Sequence, residues 1–307
     1  MKSALLFPGQ GSQKPGMGQD LASNFAIAKQ TFEEADDALG FAISTLCFEG
    51  PADALGLTYN SQPAILATSI AALRALESER GPLSYELAAG HSLGEWSALV
   101  AVGALRFADA LRLVHLRGQA MQDAVPVGQG GMAAIMGMAP ADLEAVCREA
   151  QEDQVVSAAN FNGGGQIVIS GHKEAVDRAM ALVKAQKGKA IPLKVSAPFH
   201  SALMAPAADK VAEALERIEI GPMKVPVVSN VEATGNQDSG RVKALLVQQV
   251  TGAVRWQESV EYLAAQGVER GIELGHGSVI KGLVKRITSD IDVIPMGAPA
   301  DISGAQL

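Results

Sequence analysis

Two rhythms of apolar and polar positions run through the chain, and the place where one gives way to the other divides it. Ala4–Phe7 is a short unbroken apolar run ending in Pro8-Gly9-Gln10-Gly11-Ser12-Gln13, the pattern of a buried strand entering a glycine-rich loop. Leu21 to Leu39 carries apolar positions at helical spacing, and Gly40 stops it. A second helix is expected from Ser61, a suitable N-cap with Pro63 in the first turn, through Ile65, Leu66, Ile70 and Leu73 to Glu79. Leu87-Ala88-Ala89 reads as a short buried strand that runs straight into Gly90-His91-Ser92-Leu93-Gly94. Helical spacing then returns over Glu95–Val102 and Phe107–Gln122.

The change comes at Pro126–Gly131, where three glycines and one proline fall within six residues, the signature of a linker. Beyond it the pattern predicts strand Met132–Met138, helix Pro140–Gln151, strand Val155–Ala159, turn Asn162–Gly165, strand Gln166–Ser170, helix Lys173–Lys187 and strand Ala190–Val195. That order, βαββαβ, is the ferredoxin-like arrangement. It marks residues 128–197 as an inserted subdomain within a larger unit formed by 1–127 and 198–307. The larger unit resumes with helix Ser201–Arg217, strand Val225–Ser229, helices Val242–Gln249 and Trp256–Gln266, strand Gly271–Leu274 and helix Ser278–Ile287. Such alternation predicts an α/β core with a short parallel sheet. The tail from Pro295, rich in Ala, Gly and Pro, is expected to be loose.

Composition narrows the class. Hydrophobic residues are 48% of the 307 and charged residues 19%, enough to bury a sizeable core, while aromatics at 4% leave little for stacking on single-stranded nucleic acid. A net charge of −8 argues against a nucleic-acid or anionic-membrane binder. Two basic groupings, Lys184/Lys187/Lys189/Lys194 and Lys281/Lys285/Arg286, could meet an acidic partner or be plain solvated faces. Cys47 and Cys147 stand far apart with no CxxC or His/Cys cluster, so neither a metal site nor a disulfide framework is indicated. No apolar run approaches the length of a membrane span and the N-terminus lacks a leader pattern, so a cytoplasmic location is expected.

The chemistry centres on Gly90-His91-Ser92-Leu93-Gly94, a G-x-S-x-G sequence between an apolar strand and a helix. A sharp strand-to-helix turn would lift Ser92 Oγ to a helix N-terminus, where free N–H groups can receive an oxyanion; the plainer reading is an N-cap serine. A serine nucleophile needs a base. Among the five histidines, His115 lies mid-helix among leucines, His172 sits at a helix start, and His276 in a Gly-His-Gly turn is ambiguous. His200 follows Ala197-Pro198-Phe199 in the loop leaving the insert, at a domain junction where a cleft would open, and is the favoured base. Leu93 N–H is the natural first oxyanion donor. Gln10 N–H, at the end of the first strand, is a candidate second unless that loop is an ordinary turn. His91 could contact substrate or simply pack.

Several separated segments together resemble the malonyl-coenzyme A:acyl carrier protein transacylases of bacterial fatty-acid synthesis. They are Phe7-Pro8-Gly9-Gln10-Gly11-Ser12-Gln13, Gly90-His91-Ser92-Leu93-Gly94-Glu95, Arg117-Gly118-Gln119-Ala120-Met121-Gln122 and Ala197-Pro198-Phe199-His200-Ser201, continued by Asn160-Phe161-Asn162, Val254-Arg255-Trp256 and Gly282-Leu283-Val284-Lys285-Arg286. The resemblance spans nearly the whole chain in order. It implies a hydrolase-like α/β core carrying the ferredoxin-like insert, Ser92 as nucleophile, His200 as base, and the backbone amides of Gln10 and Leu93 as oxyanion donors. It implies Arg117 as the binder of the malonyl carboxylate, a task that suits a planar guanidinium fork. Without the resemblance, Arg117 would be read as a surface arginine.

The same resemblance places a glutamine near the base at Gln249, orients the histidine through a main-chain carbonyl there rather than an aspartate, and adds Asn160, Asn162 and His91 as substrate contacts. Phe199 before the base matches the form associated with malonyl selection. Two positions depart from the family pattern, Trp96 for a more usual Tyr or Phe and Gly275-His276-Gly277 for Gly-Pro-Gly. The implied partners are malonyl-coenzyme A and an acyl carrier protein, with no cofactor beyond the coenzyme A thioester itself, no nucleic acid and no membrane, in a monomer.

Competing readings are a serine esterase or thioesterase, for which Asp142 and Asp177 supply the Ser…Asp…His order, a transacylase serving a polyketide pathway, and a carrier-binding module with a dead site.

Overall fold

The computed structural model describes residues 1–195 and 197–304. Ten strands form two sheets among these residues. β1 (Lys2–Phe7), β2 (Leu87–Gly90), β7 (Val227–Val228), β8 (Gly235–Asn236), β9 (Val268–Leu274) and β10 (Asp292–Met296) make one, in the order β10-β9-β1-β2-β7-β8. All its pairings are parallel except the β7–β8 hairpin at one edge. β3 (Gly130–Met136), β4 (Val156–Gly163), β5 (Gln166–His172) and β6 (Lys189–Pro192) make a second, antiparallel sheet in the order β4-β5-β3-β6, the ferredoxin-like order. The α/β class with its inserted antiparallel unit is as the hydrophobic rhythm indicates.

Side chains of β1 alternate between two apolar layers, as the period of two requires. Leu5 and Phe7 pack into the larger core with helices Thr58–Arg80, Leu93–Ala101 and Phe107–Asp123. Ala4 and Leu6 face the other layer, with Trp256, Val260, Ile280 and Val284 from helices Trp256–Ala265 and Val279–Lys285. The insert has its own core, where Ala133, Ile135, Ile167 and Ile169 meet Leu143, Val146, Val176 and Val183 of its two helices.

Helix Thr58–Arg80 is buried on nearly every side. It begins one turn before the expected Ser61, so Pro63 falls inside it. A proline there cannot donate to the carbonyl four residues back, Tyr59. His115 Nδ1 donates to that carbonyl instead, at 2.7 Å, and Gln119 donates to its Nε2 at 3.0 Å. The half-buried His115 thus repairs a helix. His172, the residue before helix Lys173–Ala185, accepts from Val155 N–H at 2.9 Å.

Other boundaries differ for identifiable reasons. The Leu21–Leu39 helix is two, Gln19–Asn24 and Ala26–Leu39, parted where Phe25 is extended. Two short helices, Ile43–Glu49 and Ala52–Gly56, have too few turns to show a period. The Ser201–Arg217 helix opens as a 3₁₀ turn, Ala202–Met204, before Ala205–Glu216. The tail from Pro295 is not loose as expected over its described part: β10 pairs along β9, and Pro299–Ser303 is helical. Pro295 is tolerated because β10 is an edge strand. Residues 305–307 lie outside the described residues.

The insert is tied to the main unit at one point that matters for the site. β4 runs past the expected end at Ala159 through Asn160–Asn162, with irregular register there. Val254 N–H donates to Ala159 O at 2.8 Å and Phe161 N–H to Val254 O at 2.9 Å. This short bridge carries Asn160 to the wall of the cleft and Asn162 to His91.

Candidate active site

β1 and β2 lie side by side, with Phe7 opposite Gly90 at their C-terminal ends. β2 then turns into helix Leu93–Ala101 through Ser92, whose φ of 50° and ψ of −104° lie outside the ordinary regions for a side-chain-bearing residue. The turn is only possible because three glycines, Gly9, Gly90 and Gly94, admit close backbone approaches. A Cβ at Gly94 would stand 2.2 Å from the Phe7 carbonyl oxygen, and one at Gly9 would stand 2.4 Å from the His91 carbonyl oxygen. The loop bearing Gln10 is therefore pressed against the turn bearing Ser92. Leu93 N–H is the first of its helix, one of the donors that a helix leaves unpaired.

Ser92 Oγ lies 2.8 Å from His200 Nε2. His200 itself has a positive φ, 56°, and its Nδ1 faces two backbone carbonyls, Gln249 O at 2.9 Å and Gly252 O at 3.1 Å. Carbonyls only accept, so Nδ1 carries the proton and Nε2 presents a lone pair to the serine hydroxyl. Burial, and then the Arg117 charge, push the imidazole down to about 3, against which the two carbonyl bonds act only partly. It is a neutral acceptor at physiological pH. Asp142 stands on an insert helix and Asp177 pairs with Lys173 on the surface at 2.6 Å, so neither backs the histidine and the aspartate-triad reading falls.

Arg117 is not the surface arginine that its helix position alone suggests. It is 0% exposed. Its Nη1 donates to Gln62 Oε1 at 2.7 Å, and its Nη2 to Gln249 Oε1 at 3.1 Å and Ser92 Oγ at 3.3 Å. Burial lowers it to about 10, with Glu95 acting in the opposite sense, so the guanidinium stays charged at neutral pH. The Ser92 hydroxyl therefore sits between a neutral imidazole and a buried cation.

A cleft of about 750 Å³ opens onto this centre, lined by Gln10, His91, Ser92, Asn160, Phe199 and His200 among others, with Lys194 also on its wall. The Gln10 side chain is held by Thr58 Oγ1 at 3.3 Å and Ser61 Oγ at 3.1 Å. Asn162 Oδ1 is 2.9 Å from His91 Nε2, which ties the insert to the nucleophile turn. Burial holds His91 below its usual range. Gln249, expected to touch substrate, is buried behind Ser92. Its carbonyl holds His200, and its side chain bridges Arg117, Glu95 and the Ser92 carbonyl. Trp96 Nε1 also donates to its Oε1, at 3.4 Å, a bond that phenylalanine could not make.

Three residues of this centre escape sequence reasoning. Asn230 Oδ1 accepts from Ser92 N–H at 2.7 Å, and its Nδ2 donates to Gly90 O at 2.8 Å, so one amide clasps the turn from both sides. Gln62 holds Arg117, and the buried Glu95 accepts from Asn230 N–H and Gln249 Nε2. Glu95 had a visible signal, the Ser-x-x-Glu spacing from Ser92; Asn230 and Gln62 had none.

Comparison with known proteins gives a consistent picture. Residues 4–298 match the model of the acyl transferase domain family. The chain is 48% identical to the malonyl CoA-acyl carrier protein transacylase of Salmonella typhimurium over 303 residues, covering 98% of each chain. It is also 48% identical to that of Bacillus subtilis, over 98% of this chain and 95% of the relative. Among solved structures it is similar to an acyl-carrier-protein-S-malonyltransferase from Bartonella henselae, with a TM-score of 0.96 and 46% identity over 99% of this chain and 98% of the other. It is equally similar, at TM-score 0.96 and 46% identity over 99% of both, to a malonyl-transacylase solved in complex with its type II PKS acyl-carrier protein.

Proposed function

The chain belongs to the acyl transferase domain family, and from that premise we propose that it moves a malonyl group from malonyl-coenzyme A to the phosphopantetheine thiol of an acyl carrier protein, supplying fatty-acid synthesis. The observation that carries the reading is the position of Ser92 Oγ, 2.8 Å from the bare nitrogen of His200 and 3.3 Å from the guanidinium of Arg117.

Each step follows from those neighbours. Ser92 Oγ attacks the thioester carbonyl while its proton passes to His200 Nε2. Negative charge on the carbonyl oxygen is received by the N–H groups of Leu93 and Gln10. Collapse expels the coenzyme A thiolate, which takes the proton from His200. The carrier thiol then enters the emptied cleft, gives its proton to His200 and attacks the malonyl-serine ester; Ser92 leaves and recovers the proton. Arg117 exchanges its bonds to neutral acceptors for two to the malonyl carboxylate. Asn160 and His91 line the acyl end of the cleft, Phe199 bounds it, and Asn162 fixes His91. The insert, taken as residues 128–197, supplies the facing wall. Protons move on His200 and charge rests on backbone donors, so the reaction needs no cofactor beyond the coenzyme A thioester itself. Buried free thiols at Cys47 and Cys147 suit a reducing compartment, which supports a cytoplasmic location.

Intact mass spectrometry after exposure to malonyl-coenzyme A tests the reading. One malonyl adduct is expected on the peptide containing Ser92, cleared on adding holo acyl carrier protein of fatty-acid synthesis. Clearance by water alone at the same rate would make the protein a hydrolase. Clearance only by a polyketide carrier would move it to that pathway.

A further inference from the structure

Ser92-Leu93-Gly94-Glu95 has the spacing of a helix capping box, in which the serine side chain caps the third residue and the glutamate reaches back to the serine N–H. Neither bond is made. Ser92 Oγ is turned to His200 and does not cap its helix. Ser92 N–H is taken by Asn230 Oδ1. Glu95 is thereby released from its capping duty, and it is 3% exposed with no direct salt bridge among the described residues. A carboxylate buried without an ion pair is costly, so its retention calls for a task.

That task is visible at Gln249. Glu95 Oε2 accepts from Gln249 Nε2 at 2.6 Å and from Asn230 N–H at 3.0 Å. With Nε2 held by Glu95 and by Ser92 O at 3.0 Å, Gln249 Oε1 must face the opposite way. There it accepts from Arg117 Nη2 at 3.1 Å and Trp96 Nε1 at 3.4 Å. A flipped amide would set its NH₂ against two donors and its oxygen against three acceptors, breaking every one of these bonds. Among the side chains that anchor this orientation from behind, Glu95 makes the short bond, at 2.6 Å, while Asn230 Oδ1 accepts from the same Nε2 only at 3.5 Å.

We propose that Glu95 is a positioning residue whose carboxylate fixes the side-chain amide of Gln249, and through that amide the guanidinium of Arg117, so that malonyl is selected over unsubstituted acyl groups. The inference rests on the malonyl-transfer reading above. Glu95 touches no substrate. It acts by reach and by accepting hydrogen bonds, rather than by charge.

Two variants separate reach from charge. In Glu95→Gln the amide oxygen can still accept from Gln249 and Asn230, and its new NH₂ stays in a small cavity that is also lined by Ser229, whose buried hydroxyl has no partner. In Glu95→Asp the charge stays, but the side chain is one methylene too short to hold Gln249. The assay is kcat/KM for malonyl-coenzyme A and for acetyl-coenzyme A with holo acyl carrier protein, on protein whose far-UV dichroism and melting are checked first. E95D is expected to lower the malonyl-to-acetyl ratio at least tenfold through a raised KM for malonyl-coenzyme A, and E95Q to keep the ratio within about threefold of the parent. A merely structural role would reduce the folded fraction and leave both ratio and KM untouched. An unchanged ratio in E95D, or a loss in E95Q as large as in E95D, overturns the proposal. If E95D does not fold, E95Q alone decides, since a role by charge would abolish its preference. Failure of the parent protein to transfer malonyl would instead refute the reading on which the proposal rests.

Discussion

Replacing Arg117 with methionine should convert a malonyl-selective site into an indiscriminate one, and the size of the effect can be worked from its surroundings. Methionine keeps the length of the stem and the packing of helix Phe107–Asp123, so the change is one of charge and donors. In the free protein the guanidinium bonds to Gln62, Gln249 and Ser92 Oγ, all neutral. A malonyl carboxylate would replace these with two charge-assisted bonds, each contributing about 1.5–3 kcal/mol. Without Arg117 the carboxylate enters a buried site unpaired, a defect of about 3–5 kcal/mol. The loss in kcat/KM for malonyl-coenzyme A should therefore be about a hundredfold or more. Acetyl-coenzyme A has no carboxylate and should react as before within about threefold, or faster. Arg117→Lys should fall between, keeping the charge but losing the fork. The assay is steady-state transfer of each acyl group to holo carrier protein, with melting temperature as control, because Gln62 and Gln249 lose a donor as well. Equal losses for malonyl and acetyl would show that Arg117 supports the fold and not the carboxylate.

Ser92→Ala should abolish the malonyl adduct seen by intact mass while leaving malonyl-coenzyme A binding measurable by calorimetry; an adduct of undiminished yield would place the nucleophile elsewhere. His200 is held far below the ordinary imidazole value of 6.5, so the acid limb of kcat/KM should fall well below pH 6.5, and a half-maximum at or above 6.5 would contradict its burial. As pH drops from 6.5 toward 3 the unfolded chain takes up a proton at His200 that the folded chain refuses, so this group destabilises the fold in acid. Glu95, raised to about 7 chiefly by burial, has the opposite slope: its stabilisation is full below 4.5 and is lost as pH rises through 7. Urea midpoints of the parent minus those of His200→Ala should therefore fall with acid, and a difference that is flat between pH 6.5 and 3 would refute the assignment. Gly94→Ala should lower the melting temperature and eliminate transfer, since its Cβ would meet the Phe7 carbonyl at 2.2 Å; a fully active, undestabilised variant would mean that the turn can relax.

What could be read in the sequence was what repeats locally. Helices Leu93–Ala101, Phe107–Asp123 and Pro140–Gln151 lie within a residue or two of where apolar spacing puts them. The βαββαβ order of the insert was legible because each of its elements shows its own period. The nucleophile turn was legible because strain must be met with glycine within a few residues of the strained position. The rest depended on distant approach. Asn230 lies 138 residues from the Ser92 N–H that it accepts, and nothing in its own neighbourhood distinguishes it from any asparagine near a strand end. Arg117 looked like a surface residue because a helix pattern cannot show what covers the far side of the helix. The plainer reading of Ser92 was an N-cap, but the fold uses its side chain, and that of Glu95, for longer-range bonds.

The arrangement behind His200 bears on why such a site would favour malonyl in the chemical step as well as in binding. A carboxylate beside Nδ1 would stabilise imidazolium whatever the acyl group; two backbone carbonyls do so far less. The imidazole here is suppressed first by burial and next by the Arg117 cation, and both act in the free protein. Burial remains when an acyl group arrives, but the cation need not remain uncompensated. A malonyl carboxylate bonded to Arg117 neutralises the charge that opposes protonation of His200, so the base strengthens as the correct substrate binds. An acetyl group leaves that charge in place, and His200 must accept the Ser92 proton against it. On the proposed reading, selection by Arg117 would thus be expressed twice, once in holding the carboxylate and once in the basicity of His200 beside Ser92. The second effect would weigh most on a histidine with no anion of its own, and here Nδ1 faces only the Gln249 and Gly252 carbonyls.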